Sequence, residues 1–387
     1  MKKKHYIATA VAVAVMSCLP FAFQGQPKQQ FIKAFGDPLP TTGEAQNVID
    51  LRAAVAAGGV VNVQPGTYVF MDTLVLTGVT SLRSTSSLDF CVFDFRSMVD
   101  PTKEAMRIDK NWDYEISNIT IRGNRATNAI GILNSSATPT AYGTVSGFGI
   151  FSHVFIYGFQ KGLVVGDGNR YIAASENIYQ GLKITQCDRC IELNDYNTLN
   201  HLFIMLQMGD CGEGMVAQGA GYITVQSGSF SSVKGCLFKM DHCSASRIRD
   251  CRMENGNVFF LGGTTGTGEG HDVSGCLAHQ DPQLSTYDTS AYANGWQSPF
   301  IVGGAARLVV RNCTVIQSSA PNWPTILDVH NCPGGYIEAV GNSSTVDPSK
   351  TPFISPNAST TLRRLSQFNM WTESGQVFKG WYADQNQ

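Results

Sequence analysis

The stretch GGVVNVQPGTYVF, Gly58–Phe70, holds two short β-branched runs split by Pro65-Gly66. Apolar and polar residues that alternate over four or five positions have the period of a half-buried strand, and Pro-Gly is turn chemistry. The same texture returns downstream in SNITIRGN (Ser117–Asn124), SHVFIYGF (Ser152–Phe159), YQGLKITQC (Tyr179–Cys187), NHLFIMLQ (Asn200–Gln207) and KGCLFKM (Lys234–Met240). It continues in RIRDCRMEN (Arg247–Asn255), SGCLAHQ (Ser274–Gln280), VRNCTVIQS (Val310–Ser318) and YIEAVGNSS (Tyr336–Ser344). Irregular repeats of ~20 to 40 residues built from short strands are the signature of a solenoid. One coil cannot bury its inward side chains alone, whereas stacked coils share a continuous core. The expected fold is therefore an all-β solenoid, with Val61, Ile119, Ile121, Val154, Ile156, Leu182, Ile184, Ile204 and Leu237 in its core. A sandwich would need hairpins, yet Asp167-Gly168 and Asn294-Gly295 stand isolated.

Solenoid ends need caps. Gly43–Gly59 contains the one convincing short helix, whose expected apolar patch is Ile49, Ala53, Val55 and Ala56. At the other end Phe368, Trp371, Phe378, Trp381 and Tyr382 suit a cap or a subunit contact. The chain thus divides into an export signal or anchor (1–24), a linker or attachment segment (25–47), the solenoid (48–344) and a capping or oligomerisation segment (345–387).

Composition narrows the function. Charged residues are 15% of the 387, hydrophobic residues 43%, and the formal net charge is -2. That excludes charge-driven disorder and argues against a nucleic-acid partner. Lys2, Lys3 and Lys4 precede the apolar run Ile7–Met16, the pattern of an export signal, and a span would need ~20 apolar residues. Ser17-Cys18 resembles a lipoprotein cleavage box, which would acylate Cys18; cutting near Ala22 to Gln24 is the other option. A secreted or cell-surface protein is expected, touching a membrane only through lipidated Cys18 or a retained segment. An ordinary buried anchor of some assembly is the alternative.

Of the eleven cysteines, Cys187 and Cys190 form the one CxxC. Zinc wants four converging ligands, so no metal or cofactor is expected, and the recurring thiols read as stacked core residues. The Gly262–Asp272 loop lacks the Lys-Ser or Lys-Thr ending of a phosphate-binding loop.

DLRAAVAAGGVVNVQPGTYVF followed by DTLVLTGVTSLRS resembles the start of right-handed parallel β-helices of the pectate-lyase-like superfamily. The matching residues are Val60, Val61, Val63, Pro65, Gly66, Tyr68, Leu74, Leu76 and Leu82, while Ser84 stands where a glycine is usual. SNITIRGN and SHVFIYGFQKGLVV resemble tailspike-type β-helices, which bind and often depolymerise bacterial surface polysaccharides. Phe31, Gly36, Pro38 and Leu39 are similar to a phage tail anchor pattern. The resemblance implies a single-stranded right-handed parallel β-helix with a short N-terminal helical cap, an extended polysaccharide as partner, and a homotrimer.

Hydrolysing a glycosidic bond takes two carboxyl groups, ~5 Å apart or ~6.5 to 9.5 Å apart, and coils ~4.8 Å apart can supply either spacing. Acidic residues concentrate between Gln186 and Glu254. If Cys187, Cys211 and Cys243 mark one corner, Asp188, Asp210 and Asp241 stack beside it. Asp210 and Asp241 are then the catalytic pair, with His242 adjacent. Asp188, Glu192 and Glu213 would flank them, and Arg247 would hold an anionic sugar. The segment Asp281–Pro299 offers Tyr287, Tyr292 and Trp296 as sugar platforms. Galacturonan hydrolases of this fold carry an Asp-Asp pair and an Arg-x-Lys; this chain has no Asp-Asp and RIR at Arg247–Arg249. A calcium lyase needs six to eight oxygens at one place, and no such set is evident. The expected function is polysaccharide binding with cleavage, by a glycoside hydrolase rather than a calcium-dependent lyase. The alternative is a non-enzymatic adhesin or a structural virion component.

Overall fold

The computed structural model describes residues 30–32, 43–87, 90–135, 146–166, 174–194, 198–262, 267–280, 298–303, 305–317, 326–330, 336–345, 363–367, 369–373 and 376–381. Strands stack in three parallel columns, and each coil contributes one strand to each. The first column runs through Gly59–Val63, Thr80–Ser84, Ile178–Gln180, Leu202–Ile204, Ile223–Gln226, Ala245–Arg249 and Tyr336–Val340. The second includes Gly66–Val69, Gln207–Cys211 and Arg252–Glu254, and the third includes Lys161–Val165, Arg189–Asn194, Glu213–Gln218 and Cys236–Asp241. Two long strands, Glu115–Arg122 and Ile150–Tyr157, serve both first and second columns. The architecture is a right-handed parallel β-helix. Pairing extends to Gln30–Ile32 at one end and Arg363–Gln367 at the other.

The inward file of the first column shows why the coils stack. Val61, Leu82, Ile116, Phe151, Tyr179, Phe203, Val225, Ile248, Val273, Val310 and Ala339 are partners from coil to coil. All are buried. Tyr179 lies between Phe151 and Phe203, with ring centroids 4.6 Å and 4.4 Å away. Offset aromatic pairs add ~0.5–1.5 kcal/mol beyond the area they bury.

The bend between first and second columns is one residue in the left-handed region: Asn118, His153, Met205, Ser227, Asp250 and Asn312, or glycine at 181, 275 and 341. His153 thus holds a corner, with its side chain exposed. His201, by contrast, is 1% exposed inside the coil.

Two expectations need correction. Ile204 pairs with outward Gln180 and Gln226, and Phe203 takes its core place, because the pleat alternates strictly. The cap helix spans Gln46–Ala57, but it buries Val48, Leu51, Ala54 and Val55. Of the expected patch only Val55 is inward; Ile49 is 49% exposed. The remaining core residues named above are buried, and the nine described cysteines are buried thiols outside any disulfide.

Candidate functional site

Outward side chains of the first column form straight files because every coil repeats the same pleat. One file reads Ile150, Ile178, Leu202, Thr224, Arg247, Asp272, Val309 and Glu338. Its Ile150 and Ile178 are exposed, and beyond Leu202 it is polar or charged except at Val309, which is buried. At the change lies a groove of about 250 Å³ lined by Asn200, Tyr222, Ile223, Thr224, Ala245, Ser246 and Arg247.

Asn200 and Tyr222 are corner residues in the left-handed region, with φ of 57° and 56°. This turns the Tyr222 ring outward, 60% exposed. Arg247 is held beside Thr224 and Asp272 by strand register and is exposed. Ser246 is buried and shares a 2.9 Å hydrogen bond with His271 Nδ1, which fixes the floor of the groove. Past Arg247, Asp272 lies 3.7 Å from the Arg249 guanidinium. Further along, Arg311 Nε donates to Glu338 at 3.0 Å and the Tyr336 hydroxyl donates to it at 2.9 Å. That hydrogen bond to Glu338 pushes the Tyr336 phenol above its ordinary range.

The groove offers an aromatic face, an amide, a hydroxyl and a guanidinium on a flat surface. A ring with axial C–H groups can lie on tyrosine, and a guanidinium can take a carboxylate, sulfate or phosphate with two parallel hydrogen bonds. Among the described residues, no carboxylate lines the groove.

The residues expected to form one site divide between two edges of the third column. Cys187 and Cys211 do share a corner, but the next residue there is Val233, not Cys243. Asp210 occupies that corner, exposed, with φ 48°. Asp241 ends the same column one coil on, as the partner of Gln218. The five-residue rise from Glu213 to Gln218, ~17 Å at strand geometry, lies between the two edges. Asp210 and Asp241 therefore do not face one bond.

At Asp210's edge the charges neutralise one another. Arg189 bonds Glu192 at 2.5 Å and Glu213 at 2.5 Å, Lys161 bonds Glu192 at 3.0 Å, and Arg125 bonds Asp188 at 2.8 Å. Burial alone would raise the Glu192 carboxyl, but hydrogen bonds from Asn194, Lys161 and Arg189 outweigh it and hold it low. At the other edge Asp241 Oδ1 is 3.4 Å from His242 Nδ1, three residues before groove-lining Ala245. Asp241 and His242 thus border the corner that leads into the strand carrying Arg247. Tyr287, Tyr292 and Trp296, like Cys18, lie outside the described residues.

Asn200 and Tyr222 were not singled out from sequence. A signal existed for Tyr222, which follows Gly219-Ala220-Gly221 as a large aromatic at a turn. Phe155 and Tyr157 carried another: between inward Val154 and Ile156, they must point outward. They stack at 4.9 Å, with Lys183 Nζ 4.7 Å from the Phe155 ring centre.

No family model matches the chain, and no curated protein matches it. Solved structures do. The Dettilon tailspike protein matches at 12% identity over 86% of this chain and 70% of its own, with a TM-score of 0.54. The N-terminal fragment of gene product 12 of bacteriophage Phi29 matches at 10% identity over 87% of this chain and 62% of its own, also at 0.54. These likenesses establish the fold class, the right-handed parallel β-helix.

Proposed function

We propose that this chain binds an extended anionic polysaccharide along the outer face of its first strand column, as a secreted or surface-displayed protein or as part of a virion tail. The observation that carries this reading is the groove in which Tyr222, Asn200, Thr224 and Arg247 converge. Three coil steps separate Asn200 from Asp272, ~14 Å at ordinary strand spacing, so the face suits a polymer better than a single small molecule. A tailspike among the structural neighbours supports the reading, and so does the export-like amino terminus. The exposed apolar side chains of Phe148, Ile150 and Ile178 offer a surface for assembly, which on this reading is that of a homotrimer.

Cleavage of the bound polymer would draw on Asp241 and His242, the acid-base residues beside the groove's corner. The uncharged polar and aromatic groups that accompany Arg247 among the described lining residues favour a second reading, a non-enzymatic adhesin or structural virion component that binds without cutting. A screen of capsule, lipopolysaccharide, alginate and pectin tests both. Binding that weakens in Arg247→Ala and Tyr222→Ala supports the groove. Release of reducing or unsaturated ends, lost in Asp241→Asn, supports cleavage, and binding without product supports the adhesin. Binding that is indifferent to both groove variants would overturn the site.

A further inference from the structure

Three thiols stand in register directly behind the charged part of the first column. Cys251, Cys276 and Cys313 each follow the left-handed corner residue of their coil: Asp250, Gly275 and Asn312. The coils are tied at this level by Leu277 N donating to Cys251 O and Thr314 N donating to Cys276 O, both at 2.8 Å. Each thiol points the same way. Each donates to the carbonyl two residues before it, on Arg249, Ser274 and Arg311, at 3.2, 3.3 and 3.4 Å. Each also reaches the preceding coil, at Val225, Ile248 and Val273. The file is bounded: Arg252 N bonds Gly228 O below, and Cys313 N bonds Asn342 Oδ1 above.

We propose that this ladder is a covalent modification site, at which Cys276 forms a disulfide with either Cys251 or Cys313 and so staples adjacent coils. Strands neighbouring in a sheet lie ~4.8 Å apart, inside the ~4.4 to 6.8 Å Cα window of a disulfide. Their Cβ atoms run parallel and must close by about 1 Å to reach the ~3.8 Å of a disulfide, which a corner allows more readily than a strand centre. Cys251 and Cys313 are two steps apart, ~9.6 Å, and cannot join directly.

Two thiols lose two protons and two electrons as the sulfur–sulfur bond forms. A disulfide oxidant takes up both electrons and both protons and leaves as two thiols. The central cysteine is shared, so each molecule carries one bond and keeps one thiol. All three cysteines are buried, and Cys251 is held above the ordinary thiol range first by its hydrogen bond with Cys276 and then by burial. The thiolate is therefore scarce in the closed coil, and the bond forms while the coils open or assemble. The staple would hold the coils carrying Arg249, Asp272 and Arg311 against one another.

The purified full chain is held with oxidised glutathione in urea below its unfolding range. Free thiols are then alkylated under denaturing conditions, and the peptides are read by mass spectrometry. Two linked species are expected, 251–276 and 276–313, with one alkylated thiol of the three in each molecule and a raised Tm. Cys313→Ser should leave the 251–276 link alone, and Cys276→Ser should abolish both. Three alkylated thiols after oxidation, or a dominant 251–313 link, would overturn the proposal. The Cys313→Ser arm decides it if Cys276→Ser does not fold.

Discussion

Removing the Phe203 ring tests the stacking that holds the coils. Phe203 is fully buried, lies 4.4 Å from the Tyr179 ring at an interplanar angle of 7°, and is the in-register partner of Tyr179 and Val225. Phe→Ala in a packed core costs ~3–5 kcal/mol, and the lost aromatic pair puts this site in the upper half of that range, about 4–5 kcal/mol. Its neighbour Ile204 is the control, since it faces outward and Ile204→Ala should cost less than ~1 kcal/mol. Solenoid energies are nearest-neighbour sums, so the damage should stay local. Amide exchange should rise at Ile178–Gln180, Leu202–Ile204 and Ile223–Gln226 before it rises at Gly59–Val63 or Tyr336–Val340. Urea denaturation with exchange mass spectrometry measures both. A larger loss in Ile204→Ala than in Phe203→Ala would mean that the pleat is reversed and the outward file misassigned.

Arg247→Ala should weaken binding of a carboxylated or sulfated polymer by about tenfold to a hundredfold, since a charge-assisted hydrogen bond contributes ~1.5–3 kcal/mol. Affinity electrophoresis at two salt concentrations would show it, with a neutral glucan unaffected. Burial lowers the His201 imidazole to about 4, below the ~6.5 of an unfolded chain. Its contribution is thus complete above pH ~6.5 and is lost as pH falls toward 4; His201→Phe should narrow the gap between Tm at pH 7.5 and at pH 4.5. Glu192 is also held low, so its network stabilises above the ordinary carboxylate range and fails as pH drops through the lowered value. Glu192→Gln should lower Tm near neutrality and flatten its fall in acid, with no effect on polymer binding.

The fold was legible because strand period and turn chemistry are local. Val154 and Ile156 could be placed inside from five residues of context. Ile204 could not, because NHLFIMLQ offers apolar residues at both phases of the pleat, and only pairing with Gln180 and Gln226 selects Phe203 for the core. The cap helix is similar: Ile49 and Val48 are both apolar, and the coil beneath chooses Val48. The site was harder because it depends on which residues stack, and coil length varies. Val225 follows Phe203 after a short coil, whereas Val310 follows Val273 after a long one. Aligning Cys211 with Cys243 skipped Val233, the true partner, and moved Asp241 across the width of a column. Arg247 was recognisable by its chemistry. Tyr222 and Asn200 join it only through the corner geometry of two neighbouring coils.

A crystal structure of this chain with an acidic oligosaccharide taken from whichever polymer it binds tests the central claim most directly. Sugar density should cross the first column with a ring against Tyr222 and an anionic group on Arg247. Density over the third column at Lys161, Arg189 and Glu192, with the Tyr222 groove empty, would contradict it.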